Sequence, residues 1–391
     1  MSRYPRKILS NTFTAPTSTS SVGIYSIVEQ FQAKQGNNWQ LVSFTGGNQS
    51  VSDLNSLAAL MTVGATENPT AGGTLTVNSV ALGSYDYTIK NSSKTVSSFT
   101  NSDWFTTTED TRSSIIVVNG NLTINSGITF VPSNRKLFTF IYVTGNLTLN
   151  GTISMTDKGA NHSGTGNSSG YVAPGNVLIY SGTHGGVSNP QIPSSGGAGS
   201  AGQSSGCPGS PSNPAGTAGS AGGTGGGGGG GSCGGGGGSG SSGTSFVGGG
   251  GGGAINNGGS GDTGRSATAN GGAGGDASPD SVSGGGTGGT GQPGGAAVGG
   301  GSAGGTGLPG VVIIVCAGTI SGSGSIVSIG QIGGGGGHAN GGSAGGGSIN
   351  VLYGTNSSSW SLDASGGGFN STAYNRNGGS GGTGTARLLA I

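Results

Sequence analysis

Short runs in which apolar and polar residues alternate recur along much of the chain, and such a period of two predicts strands with one buried face. Residues 74–80 (TLTVNSV) and 84–89 (SYDYTI) carry it near the N-terminus. Helical spacing appears in residues 52–61, where Leu54, Leu57, Leu60 and Met61 follow Ser52, placed to cap a short helix. These elements predict a small β-rich N-terminal domain.

The strongest pattern is a repeat. Residues 141–153 (IYVTGNLTLNGTI) align without a gap on residues 314–326 (IVCAGTISGSGSI), matching Gly145 with Gly318, Leu147 with Ile320, Gly151 with Gly324 and Ile153 with Ile326. An earlier copy, residues 116–124 (IVVNGNLTI), precedes the first by a plausible rung length. Both long copies enter a Gly-rich stretch with one His, His162 or His338, and return through similar segments, residues 176–183 and 350–355. Residues 360–366 form a weaker further copy. The expected fold is all-β, built of repeated β-solenoid or β-sandwich units with Gly at corners where φ is positive.

Composition changes this picture in one region. Of 391 residues, 96 are Gly, about a quarter against a usual level of about 7%. Residues 184–310 are almost wholly Gly, Ser, Ala and Thr, ending at the strand-forming run 311–315 (VVIIV). A flexible coil is one reading. Packed three-residue-per-turn glycine helices of the polyproline II type are the other, because Gly lets backbones approach closely. Collagen is excluded by the lack of strict Gly-X-Y periodicity and by only 13 prolines. The resulting organisation is 1–111, a β-rich N-terminal domain; 112–183, a β-repeat unit; 184–310, the glycine-rich region; and 311–391, a second β-repeat unit with a C-terminal segment.

Charge narrows the functions. Charged residues make up 6% and the formal net charge is +1, so clustered Lys and Arg for phosphate binding are missing and nucleic acid is not an expected partner. No run of about 18 apolar residues appears, and the N-terminus lacks the apolar core of a secretory signal, so synthesis in a cytoplasm without membrane insertion is expected. Cys207, Cys233 and Cys316 read as free thiols rather than a disulfide framework.

Residues 23–39 (GIYSIVEQFQAKQGNNW) resemble a phrase recurrent in glycine-rich tail-associated proteins of bacteriophages. The glycine-rich C-terminal half is similar in composition to phage tail-tip adhesins. The resemblance implies a virion structural protein made in the host cytoplasm, a tail fibre or receptor-binding adhesin. It would bind other virion proteins through residues 1–111 and a host surface receptor or glycan through the remainder. A head-decoration or baseplate protein without a receptor role, and a polysaccharide-cleaving tailspike, are the alternatives. Repeated units with little core of their own favour oligomers, here a homotrimer.

Candidate chemistry is sparse. No Gly-Lys-Ser/Thr follows a glycine run, and residues 271–279 match a calcium nonapeptide only once and imperfectly. Asp103, Glu109 and Asp110 beside Trp104 are the tight acidic group a glycosidase would need, but turn residues are the simpler reading. No enzyme activity, cofactor or metal is expected, although His162, His184 and His338 could meet across a three-fold axis. Receptor contact is expected from Trp360, Phe369, Tyr374, Asn375 and Arg376, since aromatic and amide groups give large contact area at low entropic cost.

Overall fold

The computed structural model describes residues 32–35, 38–41, 44–62, 66–106, 112–159, 177–192, 309–330, 346–368 and 383–391. The chain separates into two compact units, Met1–Ser43 and Phe44–Ile391. In the first, β1 (Gln32–Gln35) pairs antiparallel with β2 (Asn38–Leu41). The phage-like segment 23–39 thus lies only partly within the described residues.

The second unit is β-rich and its sheets are largely parallel. It opens with β3 (Gln49–Val51), helix α1 (Leu54–Met61) and β4 (Thr70–Val77). The helix cap is Asp53, not Ser52: the Asp53 carboxylate accepts the Ser56 N–H at 2.7 Å. Leu54, Leu57, Ala58 and Met61 are buried, while Leu60 is half-buried. The single strand expected over 74–80 is instead a hairpin. Asn78 and Ser79 both have positive φ (48° and 67°) and pair Val77 with Val80 across a two-residue turn, which turns the chain into β5 (Val80–Lys90).

From β5 onward the chain makes successive passes that stack in parallel. The first contains β5 and β6 (Lys94–Val96); the second β7 (Ser113–Val118), β8 (Leu122–Ile124) and β9 (Thr129–Phe130); the third β10 (Thr139–Val143), β11 (Leu147–Leu149) and β12 (Thr152–Ser154). Four short strands then leave the stack: β13 (Val177–Leu178), β14 (Thr183–His184), β15 (Val187–Ser188) and β16 (Gln191–Ile192). The fourth pass is β17 (Val311–Gly322) with β18 (Ser325–Val327), the fifth β19 (Ser348–Ser358) with β20 (Ser361–Asp363), and β21 (Thr385–Ala390) begins a sixth. The result is three columns. β5, β7, β10, β17, β19 and β21 form the first; β6, β8, β11 and the later halves of β17 and β19 the second; β9, β12, β18 and β20 the third.

The register follows the gapless alignment of the repeat. Ile116, Ile141 and Ile314 are partners in the first column, Leu122, Leu147 and Ile320 in the second, Ile153 and Ile326 in the third. The returning segments are not equivalent, however. Residues 350–352 belong to β19 and stack on β17, whereas Val177 and Leu178 pair antiparallel with Ile192 and Gln191 outside the stack. The weaker copy supplies β20, whose Leu362 lies beside Ile326.

Alternation along these strands creates two cores. One set, including Ile116, Val143, Ile314, Leu149 and Ile326, points between the columns and closes an apolar interior. The other, including Ile115, Phe140, Ile313 and Leu352, lies on the outer face of the first column, where α1 and residues 177–192 cover it. The first column is therefore buried on both faces, which explains the continuous apolar run 311–315. Phe99, Trp104, Phe105 and Phe130 plug the starting end of the interior. At the far end one apolar row, Leu122, Leu147 and Ile320, terminates in Asn356, whose Oδ1 accepts the Ser358 N–H at 2.8 Å and so blunts the last edge of the second column.

Glycine is required where the first column turns into the second. Gly145 N–H donates to Gly120 O (2.9 Å) and Gly318 N–H to Gly145 O (3.1 Å), and a Cβ on Gly145 would lie 2.8 Å from the Gly120 carbonyl carbon. The same corner carries an asparagine ladder: Asn121 Oδ1 accepts from Asn146 N–H (2.8 Å), and Asn146 Oδ1 from Thr319 N–H (2.9 Å). These amides satisfy backbone donors that the turn would leave unpaired.

Candidate functional site

The third corner, between the end of the third column and the return to the first, is where the glycine-rich segments leave the stack. Three consecutive connections open there: residues 155–310, 328–347 and 364–384. Each is closed at its base by the same bond between its ends. Gly310 N–H donates to Met155 O (2.8 Å), Gly347 N–H to Ser328 O (2.8 Å) and Gly384 N–H to Ala364 O (2.7 Å). The bases are stitched to one another as well, by Ser348 N–H to Gly310 O (3.2 Å), Thr385 N–H to Gly347 O (3.1 Å) and the Ser328 hydroxyl to Gly310 O (2.7 Å).

Glycine at these positions is a packing requirement. A Cβ on Gly347 would overlap Ser328 Oγ and Gly310 O, and one on Gly384 would overlap Gly347 O. Replacing Gly347 by Ala is therefore expected to cost about 1–3 kcal/mol or more, as overpacking against backbone does. Urea unfolding would show it as a lowered midpoint, whereas the same change at Gly127, where a Cβ meets nothing within 4 Å, costs only its positive-φ strain (φ 78°). The three glycines recur at equal sequence steps, 310, 347 and 384, a signal legible in the sequence but hidden among so many other glycines.

Of the expected receptor residues, only Trp360 falls among the described residues; Phe369, Tyr374, Asn375 and Arg376 lie outside them, all within the connection 364–384. Trp360 is half-buried, donates its indole N–H to Ser321 O at 2.9 Å and packs against the interior at the far end of the stack. His162 and His338 also lie outside the described residues, in the first and second connections. His184 sits in the excursion 177–192, its ring edge-on to Tyr180 with centroids 4.1 Å apart and Nε2 3.1 Å from Ser181 O. Glu109, Asp110, Cys207, Cys233 and residues 193–308 of the glycine-rich region are likewise outside. Asp103 is exposed in a single 3-10 turn, and Trp104 beside it is turned inward against Phe130.

No family model, curated protein or solved structure matches the chain.

The charged group that sequence reasoning missed is internal. Asp86, only 2% exposed, receives Arg112 Nε at 2.6 Å, Lys136 Nζ at 3.2 Å and the Thr106 hydroxyl. Arg112 also donates to Tyr85 O (2.8 Å) and Gly72 O (3.2 Å). Nothing in local spacing joins residues 86, 112 and 136; the stacking of passes does. Nearby, burial pushes the Tyr85 phenol up to about 12, so it stays protonated and donates to Gly47 O at 2.9 Å. Burial also raises the Cys316 thiol, and its S–H points at Gly145 O (3.2 Å), the setting of an unreactive structural cysteine. Among the described residues no three or more His, Cys, Asp or Glu side chains group to hold a metal ion, and no helix is long and apolar enough to cross a membrane.

Proposed function

We propose that the chain is a bacteriophage virion structural protein, a tail fibre or receptor-binding adhesin, built as a β-solenoid that presents glycine-rich connections to the host cell surface. The observation that carries this reading is the common third corner. A stacked body that opens three consecutive connections on one side, each with the same closed base, separates scaffold from presented segments. The phage-like segment 23–39 supports a place on the tail, with residues 1–111 as the attachment region. The paucity of charge supports a homotrimer, because surfaces solvated by Ser, Thr, Asn and peptide groups come together without electrostatic repulsion. The glycine-rich region fits packed polyproline II-type helices, and its described ends, at Ile192 and Gly310, are held on the body. On this reading the protein binds a receptor or glycan and does not cleave it.

The test replaces residues 331–345 and 369–382 by short Gly-Ser turns while keeping Ser328, Gly347, Ala364 and Gly384. The variant is expected to keep the unfolding midpoint of the parent within about 1 kcal/mol, as loop shortening at closed bases does. It is also expected to lose binding to susceptible cells in a sedimentation assay. A variant that folds normally and still binds cells would remove these connections from the receptor role.

A further inference from the structure

The excursion 177–192 lies between the third and fourth passes in sequence, yet it touches elements at opposite ends of the chain. Its strands pair with each other, Val177 with Ile192 and Thr183 with Ser188, around a turn at Gly185 and Gly186. On one side Ile179 O accepts the N–H of Asn55, in the first turn of α1, at 3.0 Å. On the other side Gln191 O accepts Arg387 Nη2 from β21, while Arg387 Nε donates to Asn350 Oδ1 on β19. The hairpin turn rests on the same strand: a Cβ on Gly185 would stand 3.0 Å from Leu389 Cα. Val177, Ile179 and Ile192 are buried in the outer core together with Leu54, Leu352 and Leu389.

β21 needs such support. Among the described residues it pairs with β19 alone and follows the long connection 364–384; besides that ladder, the Gly384 bond to Ala364 O and Leu388 packed on the interior, the excursion is what holds it. An edge strand with one ladder opens at small free-energy cost. We infer that residues 177–192 act as a strap that fastens β21 to the outer face of the first column through Arg387, tying the last strand to the N-terminal helix. The same strap holds Ile192, so a pull on the chain that follows it loads β21 through Arg387 and α1 through Asn55. This inference does not depend on the receptor function.

The experiment is hydrogen exchange read by peptide mass on the full chain. In Arg387→Ala, exchange in 385–390 and 177–192 should accelerate about ten- to a hundredfold, the range for losing a charged donor's hydrogen bonds, with β7 and β10 unchanged. Arg387→Lys, which keeps the charge but not the two-armed donor, should fall between this variant and the parent. Ile141→Val, a mild loss inside the stack, should not single out β21. Uniform acceleration in Arg387→Ala, or unchanged protection of 385–390 in both Arg387 variants, would overturn the strap.

Discussion

Asp86→Asn is expected to lower stability by about 3–5 kcal/mol, the usual cost of leaving a buried charge without its partner. Asp86 is the carboxylate between Arg112 and Lys136, and Lys136 is itself only 1% exposed. An amide can replace some of the hydrogen bonds but none of the charge, so the ammonium of Lys136 would stay buried without its partner anion. The effect reaches beyond one contact, because the three residues belong to different parts of the stack. Asp86 is on β5, Arg112 leads into β7, and Lys136 lies in the return to β10, where it bridges to Gly159. Urea unfolding with an unchanged slope would measure the loss as a shift in midpoint. Adding Lys136→Met to Asp86→Asn should recover part of it, since removing the second charge removes the desolvation cost with it. A loss below about 1 kcal/mol for Asp86→Asn would show that another carboxylate neutralises the cations.

Phe130→Ala should cost a similar amount, about 3–5 kcal/mol, because a fully buried ring is removed from a site that cannot collapse. Phe130 is the hub of the plug, with its ring centroid 5.1 Å from Phe99, 5.1 Å from Trp104 and 5.4 Å from Phe105, mostly in edge-on or tilted arrangements. The plug closes the starting end of the interior, where, among the described residues, no earlier pass of the third column lies on Phe130. Water entering the cavity would reach the Trp104 ring, so its fluorescence should shift to the red in the folded variant. Phe130→Leu, which keeps most of the volume, should lose less than half as much. Equal losses for Ala and Leu would mean that the aromatic contacts, not the filled volume, hold the plug.

The body of the stack was legible because its physics is local and repetitive. A parallel strand in register places each residue beside its counterpart one pass away, so apolar positions must recur together and the corner glycines must recur with them. Gly145 and Gly318, or Ile153 and Ile326, could therefore be matched in one dimension. Where a copy is weak the reading blurred: Asn350-Val351-Leu352 resembles the segment around Val177 in residue type, but one begins a pass and the other forms the strap. Both are short apolar runs, and only their partners distinguish them. The helix lies where the spacing of its leucines predicts and its cap is Asp53, one residue beyond Ser52, since both are good caps and backbone φ/ψ decides between them.

The sequence by itself therefore determined the β-rich class, the repeat and its register, and the positions of the corner glycines, all consequences of alternation and of backbone approach that neighbouring residues express. Tertiary structure alone decided the rest: that Asp86 meets Arg112 and Lys136, that Arg387 reaches Gln191, and that three glycine-rich connections share one corner with closed bases. Each of these joins residues far apart in the chain, through passes whose connections range from a few residues to more than a hundred. No local pattern encodes which charges will be brought together across such spans, and the equal steps between Gly310, Gly347 and Gly384 stand out only once the stack marks those glycines among the rest, because the stack, and not the intervening sequence, sets the distance between them.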